Sequence, residues 1–447
     1  MVAQVPASLK SNKGFVRRIT IATAWGEGVD GYDLGAISVV LPLISKELGI
    51  SSVWAGLIGA STLIGIFFGG PVFGYLTDKF GRRRLFTFDI VAFVIIGLLQ
   101  VVVGNGWQLF IVRVLLGVAI GAEYAIGPPM LAEFSPSAGR GRRLTNLQVC
   151  WYIGYLVSVL VAYGLLSVGV HWRWILATSA VPAVLTLVLR YGLPESPRWL
   201  MSRGRVEEAR RIVIRYLGES FFEDEELHGE STEGAGYRKL FAPEVRSRTT
   251  FVCVFWACLV APYFAIFTFA PQVLSSLHLN DPRAGTVAVN GIAVVGAVFG
   301  MVVIERIGRR KLLIVPFWVM AAALIVVGVW SHAPNVVIVV CVALFAFFNA
   351  IGGDLTGVYP DEVFPTELRS SGVGFAAAAS RIGAGVGTFL LPVGLTGLGV
   401  GPCMLIAAAT CVVGAVVSHI WAPETTKLSL TKTGRAPLPL LAREGAG

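Results

Sequence analysis

The chain has 447 residues, of which 55% are hydrophobic and only 14% are charged, whereas soluble proteins average about 25% charged residues. This composition excludes an ordinary soluble domain and predicts an all-α protein that crosses a membrane many times. The net charge of +9 does not indicate a nucleic-acid partner, because the cations cluster in short loops beside apolar stretches. The six cysteines all lie within apolar stretches, so we expect neither disulfides nor metal ligands.

Twelve apolar stretches are long enough to cross a bilayer, for which an α-helix needs about 20 residues. Cations precede the first stretch and no small-residue cleavage site follows it, which predicts an uncleaved first helix. The twelve predicted spans are 19–44, 53–76, 85–104, 107–130, 145–168, 172–192, 249–277, 284–305, 311–330, 335–359, 371–398 and 400–421.

The distribution of Lys and Arg predicts how these spans are oriented. The loops on one side hold only Lys46, Arg173 and Arg283, and Arg113 and Arg381 lie inside spans. Taking these five from the 36 Lys and Arg residues leaves 31 on the other side. Because cytoplasmic loops carry the excess of cations, we expect both termini to be cytoplasmic.

The polar segment 193–248 divides the chain into two sets of six spans. Residues 204–217 suit an amphipathic helix, whereas 219–236 are acidic and resemble a flexible linker. We therefore expect a six-helix bundle at 1–192, a cytoplasmic helical segment and linker at 193–248, a second bundle at 249–421 and a cytoplasmic tail at 422–447.

Three motifs occur twice in nearly the same register, which indicates a duplicated six-helix unit. The motif Asp78-x-x-Gly81-Arg82-Arg83-Arg84 recurs as Glu305-x-x-Gly308-Arg309-Arg310-Lys311. The pair Glu133 and Arg140 recurs as Glu362 and Arg369, and Pro194-Glu195 recurs as Pro423-Glu424. In transporters with repeated halves, the binding site lies where the halves meet near the membrane midplane.

The stretch from Gly74 to Arg84 resembles the signature loop of the major facilitator superfamily, of pattern G-x-L-x-D-x-x-G-R-[RK]-[RK]. Further motifs resemble the sugar-porter branch and related metabolite–proton symporters. They are Gly31-Tyr32-Asp33-Leu34-Gly35, Arg113 with Gly117 and Gly121, Pro194–Leu200, Tyr359–Pro365 and Pro423-Glu424-Thr425. The resemblance implies twelve transmembrane helices in two pseudo-symmetric six-helix bundles.

The sequence also departs from that branch. The Gln/Ser/Gly/Asn-rich motif of span 7 is replaced by Ala261-Pro262-Tyr263-Phe264-Ala265-Ile266, and Gly357 stands where a tryptophan is common. Gln148 does match a sugar-contacting glutamine of the branch. The run Asp30-Gly31-Tyr32-Asp33 also resembles aromatic-acid symporters.

Charged residues inside the spans are the candidates for coupling and binding, because a charge at the bilayer centre costs roughly 2.5–3.5 kcal/mol. Asp33 lies roughly 21 Å above the cytoplasmic start of span 1, and Arg113 roughly 10 Å below the outer face, so the two can meet in a core of about 30 Å. We assign proton coupling to Asp33, Arg113, Asp30 and Glu27. Static ion pairs between helices are the alternative.

Substrate contacts are expected from residues near the midplane, namely Gln148, Arg381, Asp354, Glu123 and Tyr32. Arg381 is interpreted as a contact for an anionic group rather than as the partner of Asp354, which lies at a different depth. Asp89 is expected only to bond a neighbouring helix.

A cytoplasmic gate is expected from the repeated loops, where acids would pair with arginines across helix ends. The resemblance implies that these pairs hold the outward-facing state closed; a role as topology signals is the alternative. The gate residues are Gly74, Asp78, Gly81, Arg82, Arg83, Glu133, Arg140, Glu305, Arg309, Glu362 and Arg369.

No enzyme motif, metal-ligand spacing or nucleotide-binding loop occurs, so we expect no catalytic activity, no metal and no cofactor. We predict a monomeric plasma-membrane transporter in a lipid bilayer that moves a small polar metabolite, carboxylate-bearing or sugar-like, together with protons by alternating access. A proton-antiport exporter of a drug-like compound, including a cationic one, and a non-transporting nutrient sensor remain as alternatives.

Overall fold

The computed structural model describes residues 7–135, 140–218, 237–365 and 368–425, and the side chains of these residues except 7–13, 140, 237 and 369–370. Helices dominate because a backbone in lipid must satisfy its own hydrogen bonds. The helices of the first half are α1 Ala7–Glu47, α2 Ser52–Phe80, α3 Arg82–Leu99, α4 Gly106–Glu133, α5 Arg140–Ser167, α6 Trp172–Ala177, α7 Ala180–Arg190, α8 Pro197–Ser202 and α9 Val206–Tyr216.

The second half repeats this arrangement after a short 3₁₀ helix at Tyr237–Phe241. Its helices are α10 Arg246–Thr268, α11 Ala270–Ser276, α12 Pro282–Ile307, α13 Arg309–Val329, α14 Asn335–Thr356, α15 Tyr359–Val363, α16 Arg369–Gly397 and α17 Val400–Trp421. Within the described residues, twelve helical segments are long and apolar enough to span a membrane, which confirms the twelve predicted spans.

The packing of the helices shows the pseudo-symmetry directly. In the first half α1 packs on α5, α2 on α4, and α3 on α7. In the second half α10 packs on α16, α12 on α14, and α13 on α17, which are the same pairs six spans later. The two halves join through α2 with α16 and α5 with α12. The structure is therefore the predicted all-α fold of two six-helix bundles.

Three predicted elements differ in detail. The seventh span is interrupted at Phe269, because Pro271 has no N–H to continue the helical bonding. The tenth span ends at Thr356 rather than at 359, and a separate short helix, α15, begins at Tyr359 with Pro360 in its first turn. The predicted amphipathic helix is present as α9, which buries Ala209 and Val213.

We call the membrane face that carries the α2–α3 and α12–α13 turns and α8–α9 the basic face, and the other the far face. The halves are closed against each other near the far face. A Cβ built on Gly56 would lie 2.3 Å from the carbonyl oxygen of Phe389, and the hydroxyls of Ser52 and Thr396 are 3.5 Å apart.

Candidate functional site

Asp33 of α1 and Arg113 of α4 form an ion pair inside the first half. Arg113 Nη2 lies 3.2 Å from Asp33 Oδ2, and neither side chain is exposed. Arg113 Nη1 also donates to Gln100 Oε1 at 3.4 Å. The contact predicted from the depths of the two residues is thus present. Since both charges are removed from water, a change in either one has a large energetic effect on this contact.

Glycines bring α1 close enough to α5 to hold Asp33 in this position. A Cβ on Gly31 would lie 2.0 Å from the carbonyl oxygen of Trp151, and one on Gly35 would lie 2.7 Å from that of Tyr155. Small residues allow such close helix contact in membranes. The Gly31–Gly35 motif therefore sets the position of the acid as well as the packing.

A second buried ionic network joins Arg190 of α7 to two acids. Its guanidinium lies 2.5 Å from Glu123 Oε1 and 3.5 Å from Asp89 Oδ1, and stacks 3.5 Å above the centre of the Phe86 ring. The expectation that Asp89 bonds a neighbouring helix is borne out. Glu123, expected at the substrate, is instead the counter-ion of Arg190 in this structure.

Arg190 is not among the candidate residues predicted from the sequence, because it ends a helix, where a cation is normally a loop residue. The signal for it was the unpartnered Glu123 in span 4, which needs a cation at its own depth. Gly26 of α1 makes room for the network, since a Cβ there would lie 2.2 Å from Arg190 Nη2 and 2.4 Å from Glu123 Oε1.

Glu27 and Asp30 lie on α1 beside both ionic groups. Both are buried, with exposures of 6% and 2%, and Asp30 Oδ2 has no hydrogen-bond partner among the described residues. Arg381 from the second half is close enough to act electrostatically on both acids. These two acids are therefore the part of the acidic cluster that faces the other half.

Arg381 of α16 lies between aromatic rings from both halves. Its guanidinium carbon is 5.5 Å from the centre of the Tyr124 ring and 5.7 Å from that of Phe264. It is half-buried and, among residues with described side chains, forms no ion pair within 4.0 Å. Trp151 Nε1 donates to the Tyr124 hydroxyl at 3.1 Å, which holds this ring. A half-exposed guanidinium with aromatic walls is suited to an anionic or polar ligand.

The glycines around Arg381 serve two purposes. A Cβ on Gly383 or Gly387 would lie 3.2 or 2.9 Å from atoms of Ala257 or Ala261 of α10, so these two glycines pack helices. A Cβ on Gly385 would meet nothing within 4 Å. Of these three glycines, only Gly385 therefore has open space beside its helix.

The other predicted substrate residues are separated by the structure. Gln148 of α5 is half-buried and has no hydrogen bond within the described part of the chain, so its amide is available. Tyr32 is buried and its hydroxyl is 2.8 Å from that of Thr178, so in this structure it contacts its own half. Asp354 is 1% exposed, lies against Gly300 of α12 and forms no ion pair with Arg381. Neither Tyr32 nor Asp354 forms an ion pair or hydrogen bond with Arg381 in this structure, and their role as substrate contacts stays a prediction.

At the basic face, the repeated motifs form one arrangement twice. In the first half Arg82 contacts Glu133 at 2.9 Å, and Ser196 donates to Glu133. Glu195 Oε1 accepts the backbone N–H groups of Arg82 at 2.8 Å and Arg83 at 3.0 Å. An acid at the first turn of α3 satisfies donors that a helix start leaves free.

In the second half Arg309 contacts Glu362 at 3.1 Å and Glu305 at 3.2 Å. Glu424 accepts from the N–H groups of Arg309 and Arg310, at 3.0 and 3.3 Å. Burial raises the pKa of the Glu362 carboxyl above its usual range, although Arg309 opposes this shift. The two arrangements tie each helical turn to the segment that follows the sixth or twelfth span.

Gly81 and Gly308 are required at these turns. Their φ angles are +94° and +96°, which L side chains rarely adopt. A Cβ on either would lie 2.5 Å from the carboxylate of Glu195 or Glu424. The glycines of the repeated motif thus permit both the turn and the bond from the acid.

Asp78 does not make the contact predicted for it. Its side chain is exposed and forms no ion pair with any described side chain, because Arg82 is directed to Glu133 instead. A Cβ on Gly74 would meet nothing within 4 Å, so packing does not explain that glycine here. The side chains of Arg140 and Arg369 lie outside the described residues.

Comparison with known proteins places these features in a family. Residues 19–436 match the family described as "Sugar (and other) transporter". The chain belongs to this sugar-transporter family of the major facilitator superfamily. The transporter is 38% identical over 420 residues to the putative metabolite transport protein YaaU of Escherichia coli, covering 93% of this chain and 94% of that one. It is 31% identical to the glucose transporter GlcP of Staphylococcus epidermidis, covering 94% and 96%.

Solved structures support the same fold for the transporter. The proton:xylose symporter XylE superposes with a TM-score of 0.79 at 24% identity, covering 94% of this chain and 99% of that one. At this identity the likeness concerns the fold. The relatives and the fold are those of transporters, not of enzymes. In the described part of the chain, no group of three or more His, Cys, Asp or Glu side chains is arranged to hold a metal.

Proposed function

We propose that this transporter is a symporter that moves a small polar metabolite together with a proton by alternating access. The observation that carries the proposal is the fully buried pair of Asp33 and Arg113. Asp33 Oδ1 and Arg113 Nε have no hydrogen-bond partner among the described residues, so the pair is incompletely satisfied. Such a pair is sensitive to the gain of one proton, because protonation removes the Coulombic attraction that offsets desolvation.

The coupling step follows from this geometry. When Asp33 takes up a proton, Arg113 loses its counter-ion and keeps its weaker bond to Gln100 Oε1. Asp33 belongs to α1 and Arg113 to α4, so the two helices are then free to shift relative to each other. Release of the proton to the other side of the membrane restores the pair and completes the cycle.

A substrate with a carboxylate or with sugar-like hydroxyls fits the region around Arg381 and Gln148. A guanidinium binds a carboxylate through two parallel hydrogen bonds. Glu27 and Asp30 repel such an anion while they are ionised, so a proton on either acid favours substrate binding. This repulsion gives a second physical link between proton and substrate, and it favours movement in the same direction.

The orientation is part of the same proposal. The basic face is cytoplasmic, as the cation distribution predicts, and the paired arrangements at Glu133 and Glu362 form its gate. The protein acts as a monomer in the cell membrane, with bundles at 1–192 and 249–421 and cytoplasmic segments at 193–248 and 422–447. Some relatives are inner-membrane proteins by name, such as the metabolite transport protein YgcS of Escherichia coli.

A proton-antiport exporter of a cationic compound is the second candidate, and the charges of the cluster favour it. The cluster contains more acids than arginines. The acids are Glu27, Asp30, Asp33, Asp89 and Glu123, and the arginines are Arg113, Arg190 and Arg381. After the ion pairs of Arg113 and Arg190 are formed, Glu27 and Asp30 still outnumber Arg381. A cationic ligand would bind where these two acids face the second half.

Uptake into proteoliposomes with an imposed pH gradient tests both candidates. Sugars, aromatic acids and amines are supplied outside, with the lumen made alkaline or acidic. Symport predicts accumulation of a carboxylate or sugar only when the lumen is alkaline, and Asp33→Asn abolishes this accumulation. Glu208→Gln, on the exposed α9 surface, is the matched control. Accumulation of an amine into an acidic lumen establishes the exporter, and binding without any flux indicates a sensor.

A further inference from the structure

Asp354 is a buried acid without a counter-ion in the second half. It lies near the end of α14 and is 1% exposed. Both of its carboxylate oxygens lack a hydrogen-bond partner among the described residues. It is therefore unlike Asp33 and Glu123, each of which faces an arginine. A carboxylate ion removed from water in this way is strongly disfavoured, whereas the neutral acid is tolerated.

The surroundings of Asp354 contribute one titratable group. On α12 the peptide of Met301 is nearest, and the next acid along that helix, Glu305, is paired with Arg309 of α13. On α10, Arg248 donates to the Val363 carbonyl oxygen. From α5, Tyr152 is close enough to interact electrostatically with Asp354. The Met301 peptide favours a negative charge on Asp354, but no described Lys or Arg side chain forms an ion pair with it.

Two glycines show how the carboxyl group is enclosed. A Cβ on Gly300 of α12 would lie 2.2 Å from Asp354 Oδ2, so the acid lies directly over this glycine. A Cβ on the neighbouring Gly353 would lie 2.7 Å from the Tyr152 hydroxyl. Since α5 belongs to the first half and α12 and α14 to the second, the enclosure is completed by the contact between the halves.

We propose that Asp354 is a proton-binding site separate from Asp33, which holds its proton while α5 is packed against α12 and α14 and releases it when the halves separate there. Gly300 lies seven residues from the basic-face end of α12, or roughly 10 Å. Separation of α5 from α12 and α14 thus admits water from the basic face to the carboxyl group. Its O–H bond then breaks, the proton passes to that water, and the charged Asp354 resists reclosure. A role in coupling rests on the proposed proton-driven transport, but the site itself does not.

The protonation state is tested by infrared spectroscopy on the full-length protein in lipid bilayers at neutral pH, without substrate or gradient. The spectrum of Asp354→Asn should lack one carbonyl band of a protonated carboxyl group that is present in the spectrum of wild type. Asp78→Asn, at an exposed acid, should lose carboxylate bands and serves as the control. Loss of carboxylate bands in Asp354→Asn would overturn the proposal. So would failure of this variant to fold, because asparagine imitates the neutral acid.

The link to opening is tested by hydrogen–deuterium exchange of residues 350–356 as a function of pH. In wild type, exchange corrected for its intrinsic pH dependence should increase at alkaline pH, as the ionised acid opens the contact with α5. Asp354→Asn should abolish this additional increase, whereas Asp33→Asn should keep it. The same pH response in Asp354→Asn and wild type would contradict the proposal. If the infrared and exchange results are as expected but uptake is not driven by protons, Asp354 is still a proton-binding site, and only its role in coupling is ruled out.

Discussion

Arg190 of α7 and Glu123 of α4 are 2.5 Å apart, with side-chain exposures of 1% and 4%. Asp89 of α3 shares the same guanidinium at 3.5 Å. These three side chains thus join α3, α4 and α7 of the first half, next to Glu27 and Asp30 of α1. They fix the charge environment of α1, because removing Arg190 would leave Glu123 and Asp89 facing each other without a cation.

Replacing Arg190 is expected to destabilise the first half strongly. Breaking a buried pair by removing one partner costs about 3–5 kcal/mol, so Arg190→Met should lower the unfolding free energy by about this amount. The double variant Arg190→Met/Glu123→Gln should lose less than the sum of the single variants, because it no longer buries Glu123 as an ion. Unfolding in detergent, followed by tryptophan fluorescence, measures these differences.

The control is Arg205→Met, which removes the exposed pair with Glu208. Exposed pairs contribute about 0.2–1 kcal/mol, so this variant should stay close to wild type. Additive losses in the Arg190 and Glu123 variants would show that the two side chains do not interact energetically.

The contact of α1 with α5 predicts that alanine substitutions at two glycines of α5 have very different effects on stability. A Cβ on Gly154 would lie 1.9 Å from the carbonyl oxygen of Gly28, whereas one on Gly164 would meet nothing within 4 Å. Gly154→Ala must separate the helices and should cost about 1–3 kcal/mol. Gly164→Ala should be neutral or stabilising, because alanine favours a helix by up to about 1 kcal/mol over glycine.

Thermal unfolding and uptake, measured on both variants, check this prediction. Uptake should fall in Gly154→Ala, since Asp33 is placed by the same contact. Equal behaviour of the two variants would mean that α1 and α5 are not in close contact in the working protein.

Asp78 is expected to act in a conformation other than this one. Its side chain is exposed and is not in an ion pair with any described residue. Asp78→Asn should therefore leave the unfolding temperature unchanged, but should slow transport several-fold if the acid stabilises the state in which the basic face is closed. Initial uptake rates at equal surface expression test this. A wild-type rate would reduce the loop to a signal for topology.

Depth along a helix was predictable from the sequence, but the direction of a side chain was not. Counting at about 1.5 Å per residue placed Asp33 and Arg113 at the same level, and the structure shows them in contact. The same counting separated Arg381 from Asp354. It failed to show that Tyr32 faces Thr178, because spans that are apolar all round carry no clear signal of rotation.

The interactions at the basic face were only partly predictable for a similar reason. The repeated motifs predicted that Glu133 and Glu362 pair with arginines, but the partners in the structure are Arg82 and Arg309. The predicted partners Arg140 and Arg369 have side chains outside the described residues. The bonds from Glu195 and Glu424 to backbone N–H groups depend on where the chain returns after the sixth and twelfth spans. Arg190 was missed because position at the end of a span does not distinguish a buried cation from a loop cation.

Arg381 provides the test of substrate charge. Its guanidinium is half-buried beside Tyr124 and Phe264, whereas Gln148 presents a free amide from the first half. For a carboxylate substrate, Arg381→Ala should weaken binding by about 10- to 150-fold, because a hydrogen bond to a charged group contributes about 1.5–3 kcal/mol.

Arg381→Lys keeps the charge but loses the two parallel bonds, so it should restore only part of that affinity. Gln148→Ala should affect sugar-like substrates more than carboxylates, which separates the two substrate classes within one protein. Equilibrium binding to the purified variants measures both effects, with circular dichroism to confirm folding. If carboxylate affinity is unchanged in both Arg381 variants while Gln148→Ala weakens sugar binding, a neutral substrate replaces the anion. If neither position matters and amines bind, the two acids Glu27 and Asp30 define the site and the exporter is the better description.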